Sequence, residues 1–323
     1  SSGSDGIFFC KSEEDLIEAH KTIIGTTNPN GIVNTDIALQ EFLSGDEYIV
    51  DTVSFDGRHE CMAVWVYTKR RGLPWNAAAI MSEGNRLLPP SGEIQDQLVS
   101  YVFSVLDAVG LRYGPCHTEV MLTPRGPILV EVNCRLHGLQ GPRLIELATG
   151  TSKAHSAADA LLGGELFEKK WVAPPGRFLY PLNKQVCQMV LISPVEGFLT
   201  KAIQETVAEM ELPSVVEILP ALQLGGYLRQ SCDLNTSAGT LLMVHESEEQ
   251  LEMDIARIRE VEENGTLYPV SRERLPSSPK MSPRSPQASS PRLHSAEKAL
   301  FLYEAEAELE ELPEAAMEMT GFE

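Results

Sequence analysis

His117-Thr118-Glu119-Val120-Met121-Leu122-Thr123-Pro124-Arg125-Gly126-Pro127-Ile128-Leu129-Val130-Glu131-Val132-Asn133-Cys134-Arg135 is the stretch on which the reading of this chain turns. Two apolar-rich runs flank Pro124-Arg125-Gly126, a combination that specifies two antiparallel strands and a turn. Side chains alternate faces along a strand, so His117, Glu119 and Met121 share one face, as do Glu131, Asn133 and Arg135 on the next strand. A turn centred on Arg125 sets Glu119 opposite Glu131 and His117 opposite Asn133. Directly opposed residues point to the same side, with Cβ atoms about 5 Å apart.

Two carboxylates so placed repel each other unless a cation lies between them. With the Asn133 carbonyl oxygen they form a hard-oxygen set suited to Mg²⁺, which keeps its other positions for water and phosphate oxygens. Arg135 adds a cationic fork where phosphoryl charge would need stabilising. On spacing alone, a polar hairpin face turned to water remains an open alternative.

Upstream, Gln40-Glu41-Phe42-Leu43-Ser44-Gly45-Asp46-Glu47 ends one strand-like run and bends into another. Backbone groups at such a bend can pair with a purine edge, and Glu47 could accept from ribose hydroxyls. Lys69 closes the strand-like Trp65–Lys69 and could point at phosphates. Ser1-Ser2-Gly3-Ser4-Asp5-Gly6 is a small-residue loop whose amides could wrap phosphate oxygens. Each of these features, alone, reads equally as ordinary surface.

In the order in which they occur, these pieces resemble the ATP-grasp superfamily of carboxylate–amine ligases. Within it they are most similar to the amino-acid ligases of the bacilysin-synthetase and carnosine-synthase-like branch. EFLSGDEYIVDTVSFDG (residues 41–57) and GPILVEVNCRLHG (residues 126–138) carry the likeness, which extends over about residues 1–270. It implies ATP as substrate and one or two Mg²⁺ ions, with Mn²⁺ able to substitute. Gln40 and the backbone of Glu41 and Leu43 would hold adenine, and Glu47 the ribose. Gly3, Ser4 and Gly6 would cover the triphosphate, with Lys69 on phosphate oxygens. Glu119, Glu131 and Asn133 would bind metal, Arg135 would stabilise the transferring phosphoryl group, and His137 and Gly138 would border the carboxylate substrate. The family places a substrate-side domain and ATP-gripping lysines ahead of the Gly/Ser loop, so the expectation is an N-terminally truncated ATP-grasp fold.

The fold class expected is α+β: a partial ATP-grasp domain over residues 1–176, an α+β lobe of amino-acid-ligase type over 177–270, and a disordered Ser/Pro-rich linker with an acidic tail over 271–323. Strands are expected at 6–10, 38–42, 47–55, 59–69, 116–123 and 127–133, then near 185–192, 225–230 and 240–245. Helices are expected at 12–24, 93–109, 142–162 and 248–262. Of the formal charge of −20, residues 297–323 supply −8, with nine Glu and one Lys. That balance argues against nucleic acid as a partner. No run of roughly 18 apolar residues offers a membrane span. Six scattered cysteines without a CxxC pair fit a reducing compartment, so the cytoplasm is expected. The expected partners are a small carboxylate and an amine, with a homodimer left open. Two other functions remain: a noncatalytic nucleotide-binding or scaffold relative, and an ATP-grasp ligase of another pathway such as purine synthesis.

Overall fold

The computed structural model describes residues 6–28, 31–172 and 180–274, with backbone alone for residues 77, 78 and 80. In chain order the elements are α1 (Glu13–Ile23), β1 (Asp46–Phe55), β2 (Arg58–Leu73), β3 (Asn76–Leu87), α2 (Glu93–Ala108), β4 (Gly114–Thr123), β5 (Gly126–Asn133), α3 (Gly141–Thr149), α4 (Lys153–Leu161) and α5 (Glu165–Trp171). There follow β6 (Gln185–Leu191), β7 (Gly197–Leu199), α6 (Ile203–Ala208), β8 (Val215–Pro220), β9 (Tyr227–Leu228), β10 (Gly239–His245), α7 (Glu248–Glu263) and β11 (Val270–Ser271).

Eight strands form one sheet in the order β5-β4-β1-β2-β3-β6-β10-β8, every neighbour antiparallel; β11, β7 and β9 form a second, small sheet. The class is therefore α+β, as expected. Asp56 and Gly57, at φ +50° and +81°, make the tight β1–β2 turn that Asp-Gly specifies. Helix α1 begins where Ser12 accepts from Asp15 N, with Glu13, Glu14 and Asp15 in its positive first turn. Leu98, Val102 and Leu106 of α2 recur on one face and pack with Val50, Val64 and Val120 of the sheet.

β3 carries no periodic signal, since Asn76-Ala-Ala-Ala-Ile-Met-Ser-Glu-Gly-Asn-Arg-Leu has neither alternation nor β-branched enrichment. Its pairing to β6 depends on Gly84, where an added Cβ would lie 2.0 Å from the Gln188 carbonyl oxygen. That close approach continues the sheet beyond residue 176. Strands β6 and β10 serve two cores, giving Val186, Leu242 and Val244 to one with Trp65, Leu98 and Val102, and Met189, Leu241 and Met243 to another with Leu251 and Ile258. The lobe boundary expected at 176/177 falls on residues outside those described, and the two cores share β6 and β10. The linker was expected to begin at residue 271, but Ser271 pairs with Phe198 in the small sheet. The remainder of the expected linker and tail lies outside the described residues.

Two expected strands, 6–10 and 38–42, have no ladder partner among the described residues. Ile7, Phe8, Phe9, Leu39 and Phe42 are all exposed. Strand propensity describes a side chain suited to a half-buried pleat, whereas a ladder needs a second strand beside it. The expected strand at 225–230 shrinks to the two residues of β9, while β7, β8, α5 and α6 go unannounced by periodicity.

Candidate active site

The hairpin has the register that its sequence predicts, by a route that its sequence conceals. Pro124-Arg125 forms a two-residue turn, pairing Thr123 with Gly126 and Val120 with Leu129. Unbroken, that register would set Val130 opposite Glu119. A one-residue bulge after Leu129 shifts the pairing, so that Glu119 meets Glu131 and His117 meets Asn133. On its other side β4 pairs with β1, setting His117 opposite Asp51 and Met121 opposite Glu47. Alternation then gathers Asn133, Glu131, His117, Glu119, Asp51 and Glu47 on one face of three neighbouring strands.

Lys69 of β2 joins this face. Its Nζ lies 2.5 Å from Glu47 Oε1 and 3.8 Å from Glu119 Oε2. Burial raises the Glu47 carboxyl to about 7 against the opposing pull of Lys69, with the nearby Glu119 adding to the rise. Burial also works to raise Glu119, but His117 and Lys69 outweigh it and hold that carboxyl at about 2. The Asn133 amide donates to Glu131 Oε1 at 2.7 Å, leaving its own carbonyl oxygen available on the same face. Glu131 is exposed. Two carboxylates and an amide oxygen fit a hard divalent cation, which would replace the attraction that Lys69 supplies to Glu119.

Behind this cluster lies a buried hub that the sequence reading did not identify. Asp51, fully buried, accepts from Lys153 Nζ at 2.7 Å, Trp65 Nε1 at 2.8 Å, His137 Nδ1 at 2.9 Å and His117 Nδ1 at 3.1 Å. Burial opposes its ionisation, yet Lys153, His137 and His117 together hold the carboxyl well below the ordinary range. The two histidines are shifted in opposite directions. For His137 burial dominates and lowers the pKa, so Nδ1–H donates to Asp51 and Nε2 accepts from Asn85 Nδ2 at 3.3 Å. For His117 burial also acts downward, but the bonds to Asp51 and Glu119 prevail and raise the pKa. Its Nε2 lies 3.4 Å from Glu119 Oε1.

Asp51, His117 and His137 offer ligand atoms within 4.8 Å of one another, a set that on count alone would suit a transition metal. The charge pattern argues otherwise. Both Nδ1 atoms point their protons at Asp51, and the Lys153 ammonium already supplies the cation.

The other expected residues are placed as follows. Gln40 reaches across to β5, its Nε2 3.3 Å from Val130 O, and Glu41 pairs with Arg125 Nη2 at 2.7 Å, so the hinge is tied to the hairpin. Leu43 is half-buried beside Gly45, where an added Cβ would lie 2.0 Å from Leu122 O. The Arg135 guanidinium is exposed, bonds Leu136 O at 3.0 Å through Nη1, and lies beside Gly138. His137 is buried with both nitrogens engaged and packs against Gly141, where a Cβ would fall 2.3 Å from its ring. Gly6 is exposed at φ +70°, while Gly3 and Ser4 lie outside the described residues. Asp51 could have been suspected from sequence, as an acid in the apolar run Tyr48-Ile49-Val50-Asp51-Thr52-Val53. Nothing local marks Lys153, 102 residues away.

Residues 1–142, which hold the acidic hairpin, match the family model described as an ATP-grasp domain. The likeness to the ATP-grasp superfamily lies in those residues. The chain's likenesses lie beside the amino-acid ligases. It is 27% identical over 272 residues to dapdiamide A synthase of Enterobacter agglomerans, covering 81% of this chain and 60% of the relative. It is 34% identical over 103 residues to carnosine synthase 1 of Gallus gallus, covering 31% of this chain and 10% of the relative. The fold is similar to that of an L-amino acid ligase from Bacillus licheniformis, with a TM-score of 0.59 at 18% identity, over 77% of this chain and 58% of the other. It also resembles phosphoribosylglycinamide synthetase from Anaerococcus prevotii, with a TM-score of 0.51 at 14% identity, over 80% and 61%. The chain thus spans about three-fifths of the length of dapdiamide A synthase and of these two solved structures. Among the described residues no helix is long and apolar enough to cross a membrane.

Proposed function

We propose that this chain carries the nucleotide- and metal-binding part of an ATP-dependent ligase that joins a small carboxylic acid, an amino acid in our reading, to an amine. The observation that carries the proposal is the Glu119–Glu131 cross-strand pair with Asn133 beside it and Lys69 at its other flank. Mg²⁺ bound there would draw charge from phosphate oxygens. Glu119, Glu131 and the Asn133 oxygen would hold the ion. Lys69 would move from Glu119 to the phosphates, and Arg135 would face the charge on the transferring phosphoryl group. The carboxylate attacks the terminal phosphorus of ATP, giving an acyl phosphate and ADP. The amine then attacks the acyl carbon, expels phosphate and loses a proton. The hinge at Glu41 and Leu43, with Gln40, is the proposed adenine site, and Glu47 the proposed ribose contact. Gly3, Ser4 and Gly6 are the proposed triphosphate loop, and His137 and Gly138 the substrate border, His137 acting through the position it gives its neighbours.

Substrate-dependent ADP release tests the reading. Screening pairs of amino acids against purine precursors separates the amino-acid ligase from a purine-pathway ligase, the alternative that the phosphoribosylglycinamide synthetase likeness keeps in view. Glu131→Gln is expected to abolish turnover while leaving the melting temperature intact. An unchanged rate at saturating Mg²⁺ would remove the metal assignment.

A further inference from the structure

We infer that His117 is a positioning residue, clamping the Glu119 carboxylate so that Glu119 and Glu131 converge on one divalent cation. The inference rests on the metal reading proposed above and adds a residue to it.

The geometry is that of a rigid strut. His117 is buried, its Nδ1 is 3.1 Å from Asp51 Oδ1, and its Nε2 is 3.4 Å from Glu119 Oε1. Asp51 cannot yield, because Trp65, Lys153 and His137 also donate to it. The ring is therefore fixed at one end, and its other end addresses one oxygen of Glu119. Glu119 Oε2, the second oxygen, faces Lys69. Across the sheet stands Glu131, whose like charge would turn a free Glu119 side chain away. A strut on Oε1 opposes that rotation and keeps Oε2 on the side that a cation would occupy. Outer contacts of this kind set the orientation and affinity of metal-binding carboxylates.

Two substitutions separate the strut from mere packing. In His117→Gln the side-chain amide nitrogen can stand where Nε2 stands, toward Glu119. In His117→Asn it stands where Nδ1 stands, toward Asp51, and the contact to Glu119 is lost. Mn²⁺ is the probe, its free concentration read by electron paramagnetic resonance during titration of the 323-residue chain, with thermal melts run on each variant. His117→Asn should weaken Mn²⁺ binding by about 10- to 100-fold, while His117→Gln should stay within about threefold of the parent. Equal losses in both variants, or undiminished binding in His117→Asn while Glu119→Gln loses it, would overturn the strut. Undiminished binding in Glu119→Gln would overturn the metal reading, and the strut with it. Should either histidine variant fail to fold, the parent chain labelled with ¹⁵N-histidine decides. Mg²⁺ should shift the His117 Nε2 resonance, and an unmoved resonance under saturating Mg²⁺ refutes the clamp.

Discussion

Replacing Asp51 with Asn should be among the most destabilising single changes available in this chain. The carboxylate accepts four N–H groups between 2.7 and 3.1 Å and is fully buried. Asn offers one acceptor oxygen and turns an NH₂ group toward donors that cannot accept from it. It also leaves the Lys153 ammonium, itself fully buried, without its counter-charge. Removing one partner of a buried ion pair costs about 3–5 kcal/mol. For a folded unit of this size that lowers Tm by about 6–20 °C. Urea unfolding followed by tryptophan fluorescence and far-UV circular dichroism measures the loss. The double variant Asp51→Asn/Lys153→Met removes both charges, and should be less destabilised than the sum of the two singles by about 0.5–3 kcal/mol. The pH dependence has a definite sign. A carboxyl depressed in the folded state contributes stability that is complete above its unfolded value, about 4, and is lost as pH falls through the folded value. The gap between parent and Asp51→Asn should therefore close below about pH 4. An Asp51→Asn chain within about 1 kcal/mol of the parent, or strictly additive double variants, would refute the hub.

Trp65→Phe removes the indole donor to Asp51 and should cost about 1.5–3 kcal/mol by denaturant titration, the range for a bond to a charged group. Gly141→Ala drives a methyl group into the His137 ring and should cost about 1–3 kcal/mol, read as a lower urea midpoint with the same slope. Lys69→Met should weaken ATP binding by about 10- to 100-fold in a calorimetric titration, the equivalent of one charge-assisted contact. An unchanged affinity would keep Lys69 with Glu47 and away from phosphate.

The sequence by itself determined the hairpin and the chemistry along it. Alternation puts His117 with Glu119 on one face of β4, and Glu131 with Asn133 on one face of β5, because strand geometry is local and its period is two. The same locality made α1, α2, α7 and the Asp56-Gly57 turn legible. Tertiary structure alone decided which strands have neighbours. Residues 6–10 and 38–42 read as strands yet have no ladder partner among the described residues, while Ala-rich β3 pairs on both sides because Gly84 lets the Gln188 carbonyl approach. Tertiary structure also decided the electrostatics. The Glu119–Glu131 register survives only through the bulge at Val130, which no propensity announces. Asp51 meets Lys153 across 102 residues of chain, and that meeting, with His137, holds the Asp51 carboxyl well below the ordinary range behind the acidic face. Pairing and burial at long range depend on the whole sheet being assembled, a condition that no window of sequence contains.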